Sequence, residues 1–188
     1  VVMSLLNTQT AYLKDEAALN AIHESRHRVH VISLIHRKLY QSDHQLTVID
    51  MSAYIKEVTE YLVDSLNAGH RIKFGLFIDP VALDVAQAVP TGLIINEAVT
   101  NAVKYAFPHG RKGQINIHMY KTRAGYIELH ISDDGIGFPD NFDWQHTNSF
   151  GMNLMRGLSK QLDGTFEVLQ TNGVTISITF EPAKSLNQ

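Results

Sequence analysis

Residues 1 to about 45 contain neither glycine nor proline, and so long a stretch without a chain breaker favours helix. Val1 to Ala11 reads as the end of one helix. Tyr12-Leu13-Lys14-Asp15 reads as a short connection, with Asp15 as the N-cap of the next helix. From there Ala18, Ile22, Ser25, Val29, Ile32, His36 and Leu39 recur at alternating steps of four and three. That is a heptad seam with polar breaks at Ser25 and His36, and it requires another helix to cover it. The cover is either a hairpin mate or a second chain; the plainer alternative is a helix packed on its own globular domain. His36 is expected to be a packed polar residue on this seam.

The texture changes after residue 45, and residues 46–188 read as mixed α/β. Leu46 to Ile49 is a short strand, and Ser52 is the expected cap of a helix running to about Asn67. Ile72 to Ile78 alternates as a strand. A helix is expected after Pro90, from about Thr91 to Phe107. Gln114 to Tyr120 and Tyr126 to Ser132 are strands joined at Ala124-Gly125. Phe150 to Leu162 is a helix ended by Asp163-Gly164. Thr165 to Leu169 and Val174 to Phe180 form a hairpin across Thr171-Asn172-Gly173. The expected architecture is a sheet with helices on one face.

Bulk properties exclude several classes. With 188 residues, 44% hydrophobic, the chain can bury a real core. A net charge of −3 and no Lys/Arg runs give no strong pull toward nucleic acid or anionic membranes. No segment approaches ~18 uninterrupted apolar residues, so no membrane span is expected. There is no cysteine, hence no disulfide framework or thiolate metal site, and a reducing cytoplasm is the plain inference. The opening Val1-Val2-Met3 lies inside an apolar pattern, as expected of a piece of something longer.

Three pieces carry chemistry. On a helix, Ile94, Ile95, Ala98, Val99, Ala102, Val103 and Ala106 fill one arc, while Glu97, Asn101 and Lys104 fall together on the other side, with Tyr105 at the border. That face offers a carboxylate, an amide and an ammonium; the plainer reading is a solvated face with an i,i+4 pair. The second piece, Ile131-Ser132-Asp133-Asp134-Gly135-Ile136-Gly137-Phe138, is a strand entering an acidic, glycine-rich turn. Gly-x-Gly lets backbone pass close to a ligand, and Asp133 offers an acceptor for an exocyclic amine such as that of adenine. It is neither a dinucleotide fingerprint nor a Walker loop; the plainer reading is an ordinary strand-end turn. In the third piece, Ser149-Phe150-Gly151-Met152-Asn153-Leu154, a glycine sits at a helix start, where free N–H groups suit phosphate. The polar stretch from Pro139 to Asn148 between them has the character of a lid.

In this order the pieces resemble the GHKL superfamily, the Bergerat-fold ATP-binding domains of histidine kinases, gyrase-type ATPases and their relatives. Asn96 to Pro108 is similar to the N-box of one histidine-kinase subgroup, which has a short lid and a His-Arg-Val-Lys-Asn-Asn phosphoacceptor helix. Gly110-Arg111-Lys112-Gly113 also fits. Ser4 to Gln9 and Leu34 to Tyr40 resemble that subgroup's dimerisation hairpin. The resemblance implies a two-layer Bergerat-type α/β sandwich over residues 46–188, preceded by a partial dimerising hairpin over 1–45. It implies ATP and Mg²⁺, with Asn101 as the amide ligand of the metal and Glu97 at the position of the base in the ATPase relatives. It further implies Lys104 against a phosphate, Tyr105 on the base, Asp133 as adenine reader, and Gly135 and Gly137 allowing close approach. Gly151 corresponds to the second glycine box, reduced from the usual Gly-x-Gly-Leu, and Thr175 to a further contact near adenine. The implied activity is transfer of the γ-phosphoryl to a histidine and then to a response regulator, by a cytoplasmic homodimer. The alternative is a nucleotide-dependent regulatory protein-binding module, either a serine-kinase-like relative or an ATP-sensing pseudokinase.

Ten histidines make false leads abundant. His23-Glu24-Ser25-Arg26-His27 fits the His-Glu-x-x-His zinc signature, but no third ligand follows at a familiar spacing. The heptad phase puts His23 and His27 on the outward side. His27-Arg28-Val29 mimics the start of the phosphoacceptor motif and lacks its continuation. The resemblance instead places the acceptor in a helix upstream of Val1.

Overall fold

The computed structural model describes residues 15–41, 48–139, 142–144, 147 and 149–183, together with Thr8. The expected helix end at Val1 to Ala11, the Tyr12 to Lys14 connection, and Leu46 and Thr47 of the expected strand lie outside these, Thr8 excepted.

Helix α1 (Glu16–Gln41) starts where expected: Asp15 Oδ1 accepts from the N–H groups of Ala17 and Ala18 at 2.8 and 3.1 Å. Strand β1 (Val48–Asp50) leads directly into helix α2 (Met51–Ser65). Then come β2 (Ile72–Ile78), β3 (Ala82–Asp84), helix α3 (Val85–Asn101), β4 (Gly113–Lys121), β5 (Ile127–Asp133), helix α4 (Phe150–Gln161), β6 (Thr165–Thr171) and β7 (Gly173–Phe180).

Two helix starts differ from expectation. Asp50, not Ser52, caps α2, accepting from Ser52 N–H at 2.9 Å. Two good capping residues stand two positions apart, and the β1–β3 ribbon decides between them by holding Asp50 opposite Ala82. Helix α3 begins at Val85, not after Pro90: Asp84 caps it through Gln87 N–H at 2.8 Å, and Pro90 lies inside the helix. A proline there gives up one backbone bond and normally breaks a helix, but Pro90 is buried in the core. The same small ribbon thus supplies both caps.

The main sheet has the order β2-β4-β5-β7-β6, with β2 and β4 parallel and the other pairs antiparallel. Ile115, Ile117 and Met119 of β4 and Ile127, Leu129 and Ile131 of β5 are buried, alternating with more exposed residues, so one face meets the helices. This is the expected two-layer mixed α/β sandwich. Helix α3 lies at its centre, with Ile94, Ile95 and Val99 fully buried. Gly92 lets α2 approach: a Cβ there would meet Tyr54 Oη at 2.1 Å. Tyr54 in turn donates to the Val31 carbonyl of α1 at 3.2 Å.

Helix α1 docks on this unit through His27, Val31, Leu34 and Ile35, all buried. This corrects the outward placement of His27, whose Nδ1 stands 3.4 Å from Ser65 Oγ and whose ring meets Tyr61 edge-on. The heptad phase describes a different stripe. On it Ala18, Ile22, Ser25 and Val29 are half-buried, while Ile32 and His36 are exposed. His36 is therefore not packed within this chain; its ring leans on Tyr40.

Candidate functional site

The C-terminal half of α3 forms one wall of a cavity with two compartments. The inner slot, about 70 Å³, has apolar walls that include Ala98, Ala102, Ile131, Met152 and Ile176, with Asp133 at its polar end. The outer chamber, about 510 Å³, is bordered by Glu24, Glu97, Thr100, Ser149 and Gly151. Asn101, Tyr105, Gly137, Phe138 and Met152 line both. Beyond Asn101 the helix widens into a π turn, Ala102–Ala106, a feature that often marks functional sites.

Asp133 ends β5 at the depth of the slot. Its Oδ1 accepts from Gly135 N–H at 2.8 Å and Val174 N–H at 3.4 Å. One carboxylate oxygen is thereby fixed, and the other can accept from a ligand amine. Burial pushes the Asp133 carboxyl above its ordinary value, while those two backbone donors pull the other way. The glycines hold this corner closed. A Cβ on Gly135 would meet Ala106 at 2.3 Å, and one on Gly173 would meet the Asp133 carbonyl at 2.0 Å. Gly137 has φ +73°, a conformation that favours glycine.

Glu97 is almost fully buried under α1. Arg28 holds it bidentately, Nε donating to Oε1 at 2.8 Å and Nη2 to Oε2 at 2.9 Å. Asn96 Nδ2 also donates to Oε1 at 2.9 Å. Lys104 donates to Glu24 of α1 at 2.6 Å. Burial acts against the Glu24 charge, but Lys104 and Arg28 hold its carboxyl below the usual value. Gly151 brings the start of α4 to the same place: a Cβ there would stand 3.2 Å from Glu97 Oε2 and 3.5 Å from Asn101 Nδ2. Ser149 makes no side-chain cap bond, so the first N–H groups of α4 remain available at the chamber wall.

Eight of the nine site residues expected from sequence lie in or against this cavity. Glu97, Asn101, Tyr105, Gly137 and Gly151 line it directly, as does Asp133; Gly135 buttresses Asp133, and Lys104 stands at the mouth on Glu24. Thr175 does not line it, whereas its neighbours Val174 and Ile176 do. Strand alternation turns Thr175 to the opposite face of the sheet, in register with Ser132 and Leu169. Of the expected lid, Phe142 and Thr147 line the chamber and Phe142 stacks on Phe138. Trp144 is tied to α4, its carbonyl accepting from Arg156.

Sequence reasoning passed over Glu24, Arg28 and Thr100. The first two form an i,i+4 pair that looks like any solvated helix pair. Thr100 has a buried Oγ1 with no hydrogen-bond partner, at the chamber wall; no spacing rule would have singled it out. Asn101, which lines both compartments, offers an amide oxygen of the kind that suits a hard cation. Among the described residues no three His, Asp or Glu side chains converge as a metal cluster.

Several known proteins resemble this chain over most of its length. Residues 87–184 match the family of histidine kinase-, DNA gyrase B- and HSP90-like ATPases, and residues 1–66 match a histidine kinase family. The sensor histidine kinase PdtaS of Mycobacterium tuberculosis is 29% identical over 167 residues, 87% of this chain and 32% of that protein. Blue-light-activated histidine kinase 2 of Erythrobacter litoralis is 25% identical over 129 residues, 69% of this chain and 37% of that one. The chain thus spans about a third of the length of these curated relatives. The histidine kinase domain of an E. litoralis blue-light-activated histidine kinase has the same fold, with a TM-score of 0.77 at 20% identity, covering 96% of this chain and 95% of that one.

Proposed function

The chain belongs to the histidine kinase-, DNA gyrase B- and HSP90-like ATPase family, and from that premise we propose that it is the ATP-binding kinase module of a two-component sensor histidine kinase. Its parent protein moves the γ-phosphoryl of ATP to a histidine and then to an aspartate of a response regulator. The observation that carries this reading is one helix, α3, bordering both compartments: Asn101 and Tyr105 stand where an apolar slot ending in Asp133 opens into a polar chamber. A flat base with an exocyclic amine suits the slot, and a phosphate chain suits the chamber.

In this reading the adenine amine donates to Asp133, and Tyr105 and Phe138 border the base. Asn101 Oδ1 would hold Mg²⁺, which would supply neutralisation of phosphate charge. The first N–H groups of α4 around Gly151 face the phosphates, and Lys104 reaches them when it leaves Glu24. Little covalent help is needed from the protein; positioning and charge neutralisation do the work.

The seam on α1, half covered within this chain, is the surface for a second copy, giving a homodimer. His27 is not the phosphoacceptor, since its ring is buried against Tyr61 and Ser65; the acceptor lies in a helix upstream of α1. A cytoplasmic setting follows from a response-regulator partner. Among the described residues no helix is long and apolar enough to cross a membrane.

Calorimetric titration with Mg²⁺ and ATP tests the pocket. Asp133→Asn leaves amide donors facing the adenine amine and weakens binding by about 2–3 kcal/mol, roughly 30–150-fold. Asn101→Asp alters the metal site and also weakens binding. Equal affinity in all three proteins would remove the assigned site.

A further inference from the structure

Glu97 occupies the position of a base, yet its lone pairs are largely taken. Oε1 accepts from both Arg28 Nε and Asn96 Nδ2, and Oε2 accepts from Arg28 Nη2. A carboxylate oxygen has about two lone-pair sites, so Oε1 is filled and Oε2 keeps one. The pair is enclosed: Glu97 is 6% and Arg28 17% exposed at the side chain. The Arg28 guanidinium is also seated 4.6 Å from the Phe150 ring centroid, at the chamber wall. Glu24 accepts from Arg28 Nη2 at 3.4 Å and from Lys104, which steadies the arrangement from the α1 side. A guanidinium does not give up its proton, so it cannot relay one to Glu97.

Water and a histidine make different demands on such a site. When water attacks, its oxygen forms a bond to the γ-phosphorus and the bridging β–γ P–O bond breaks. ADP leaves with the electron pair, and the water proton must pass to a base, here Glu97. A neutral imidazole attacks through a nitrogen that already carries a free lone pair. The N–P bond forms, the same P–O bond breaks, and no proton need be taken from the attacking atom. Covering the base therefore suppresses hydrolysis and spares transfer to histidine.

We propose that Arg28 is a positioning residue that weakens Glu97 as a base toward water, so that docking of α1 favours transfer to histidine over hydrolysis. The inference rests on the ATP-site reading given above and adds to it a role for the helical region inside the pocket. The guard is present only while α1 is docked, because Arg28 belongs to that helix and Glu97 to α3.

The test uses the whole chain and its Arg28→Gln, Arg28→Lys and Arg28→Gln/Glu97→Gln variants. Phosphate release is measured with saturating Mg²⁺ and ATP, and ATP affinity is measured separately by calorimetry. Arg28→Gln is expected to raise release roughly 10–100-fold, inside the ~10²–10⁴ range that a positioned base supplies. Arg28→Lys, which cannot donate bidentately, should show a smaller rise, and adding Glu97→Gln should remove the gain. Partial unfolding would lower activity, so a gain cannot arise that way. Unchanged release in an Arg28→Gln protein that still binds ATP overturns the proposal, as does a gain that survives Glu97→Gln. Failure of the unaltered chain to bind ATP instead overturns the ATP-site reading, and the guard with it.

Discussion

Helices α1 and α3 face each other across the chamber and are held in opposite ways. From Ala88 to Thr100 almost every residue of α3 is buried, and the sheet, α2 and α4 all close on it. Helix α1 buries one narrow stripe and otherwise meets the unit through ion pairs, Arg28–Glu97, Lys104–Glu24 and Lys38–Glu57. Apolar burial is non-directional and roughly proportional to area, whereas partly exposed ion pairs such as Lys104–Glu24 and Lys38–Glu57 add little net stability. The Asp133 side of the cavity is therefore fixed to the core, while the side at Glu97 and Lys104 is covered by a helix held through a narrow apolar stripe and ion pairs.

Breaking the fixed side has the largest expected effect. Ile95→Ala removes a fully buried side chain from the centre of α3 and should cost about 2–5 kcal/mol. Urea unfolding followed by circular dichroism measures this. A loss much below that range would mean that α3 is not the core the whole unit depends on.

The docked side should respond to acid. Burial is the main cause that lowers the His27 pKa to about 4, helped by the charges of Arg26, His23, Lys104 and His30; Tyr61 and Ser65 face it from α2. Unfolded, the ring binds a proton below about 6.5. The unfolded state thus holds more protons between those two values, and stability falls as pH drops from about 6.5 to 4. The expected contribution is about 3 kcal/mol. Unfolding of the chain and of His27→Gln across this window checks it, and parallel pH curves would contradict the buried placement.

The seam supplies a third distinction. Val29→Glu with Ile32→Glu should convert dimers to monomers while leaving ATP binding intact, because neither side chain belongs to the stripe that docks on α2 and α3. Burying two unpaired carboxylates between copies is costly. Sedimentation decides this; an unaltered chain that stays monomeric at high concentration would assign the seam to contacts within one chain.

The smallest effect is expected at Lys38, whose Nζ lies 2.5 Å from a Glu57 carboxylate that is 43% exposed. Lys38→Met should cost less than about 1 kcal/mol, and the difference should shrink in high salt. Thermal melts at low and high salt measure it. A larger, salt-insensitive loss would show that α1 is held more firmly than its ion pairs imply.

Much of the candidate site was legible because it is built from local pattern. Asn101 and Glu97 fall on one helix face by periodicity, Asp133 and Gly137 sit in one turn, and the Asn172-Gly173 hairpin pairs β7 with β6. The misplacements have identifiable causes as well. Ser52 and Pro90 carried ordinary start signals, and the β1–β3 ribbon set the caps upstream of them at Asp50 and Asp84. Thr175 was one residue from the slot, and a strand sends neighbouring residues to opposite faces.

By itself the sequence determined the helix-rich start, the α/β order, the polar face of α3 and the acidic glycine turn, since each follows from periodicity or backbone preference over a few residues. Only the tertiary structure decided which stripe of α1 meets the core. Val31, Leu34 and Ile35 form one apolar stripe and Ile22, Val29 and Ile32 another, and each would serve a helix equally well. It also decided that Arg28 closes on Glu97, 69 residues away. A charged pair on an isolated helix is neutral evidence; it acquires meaning only when folding removes the water around it and supplies a buried partner.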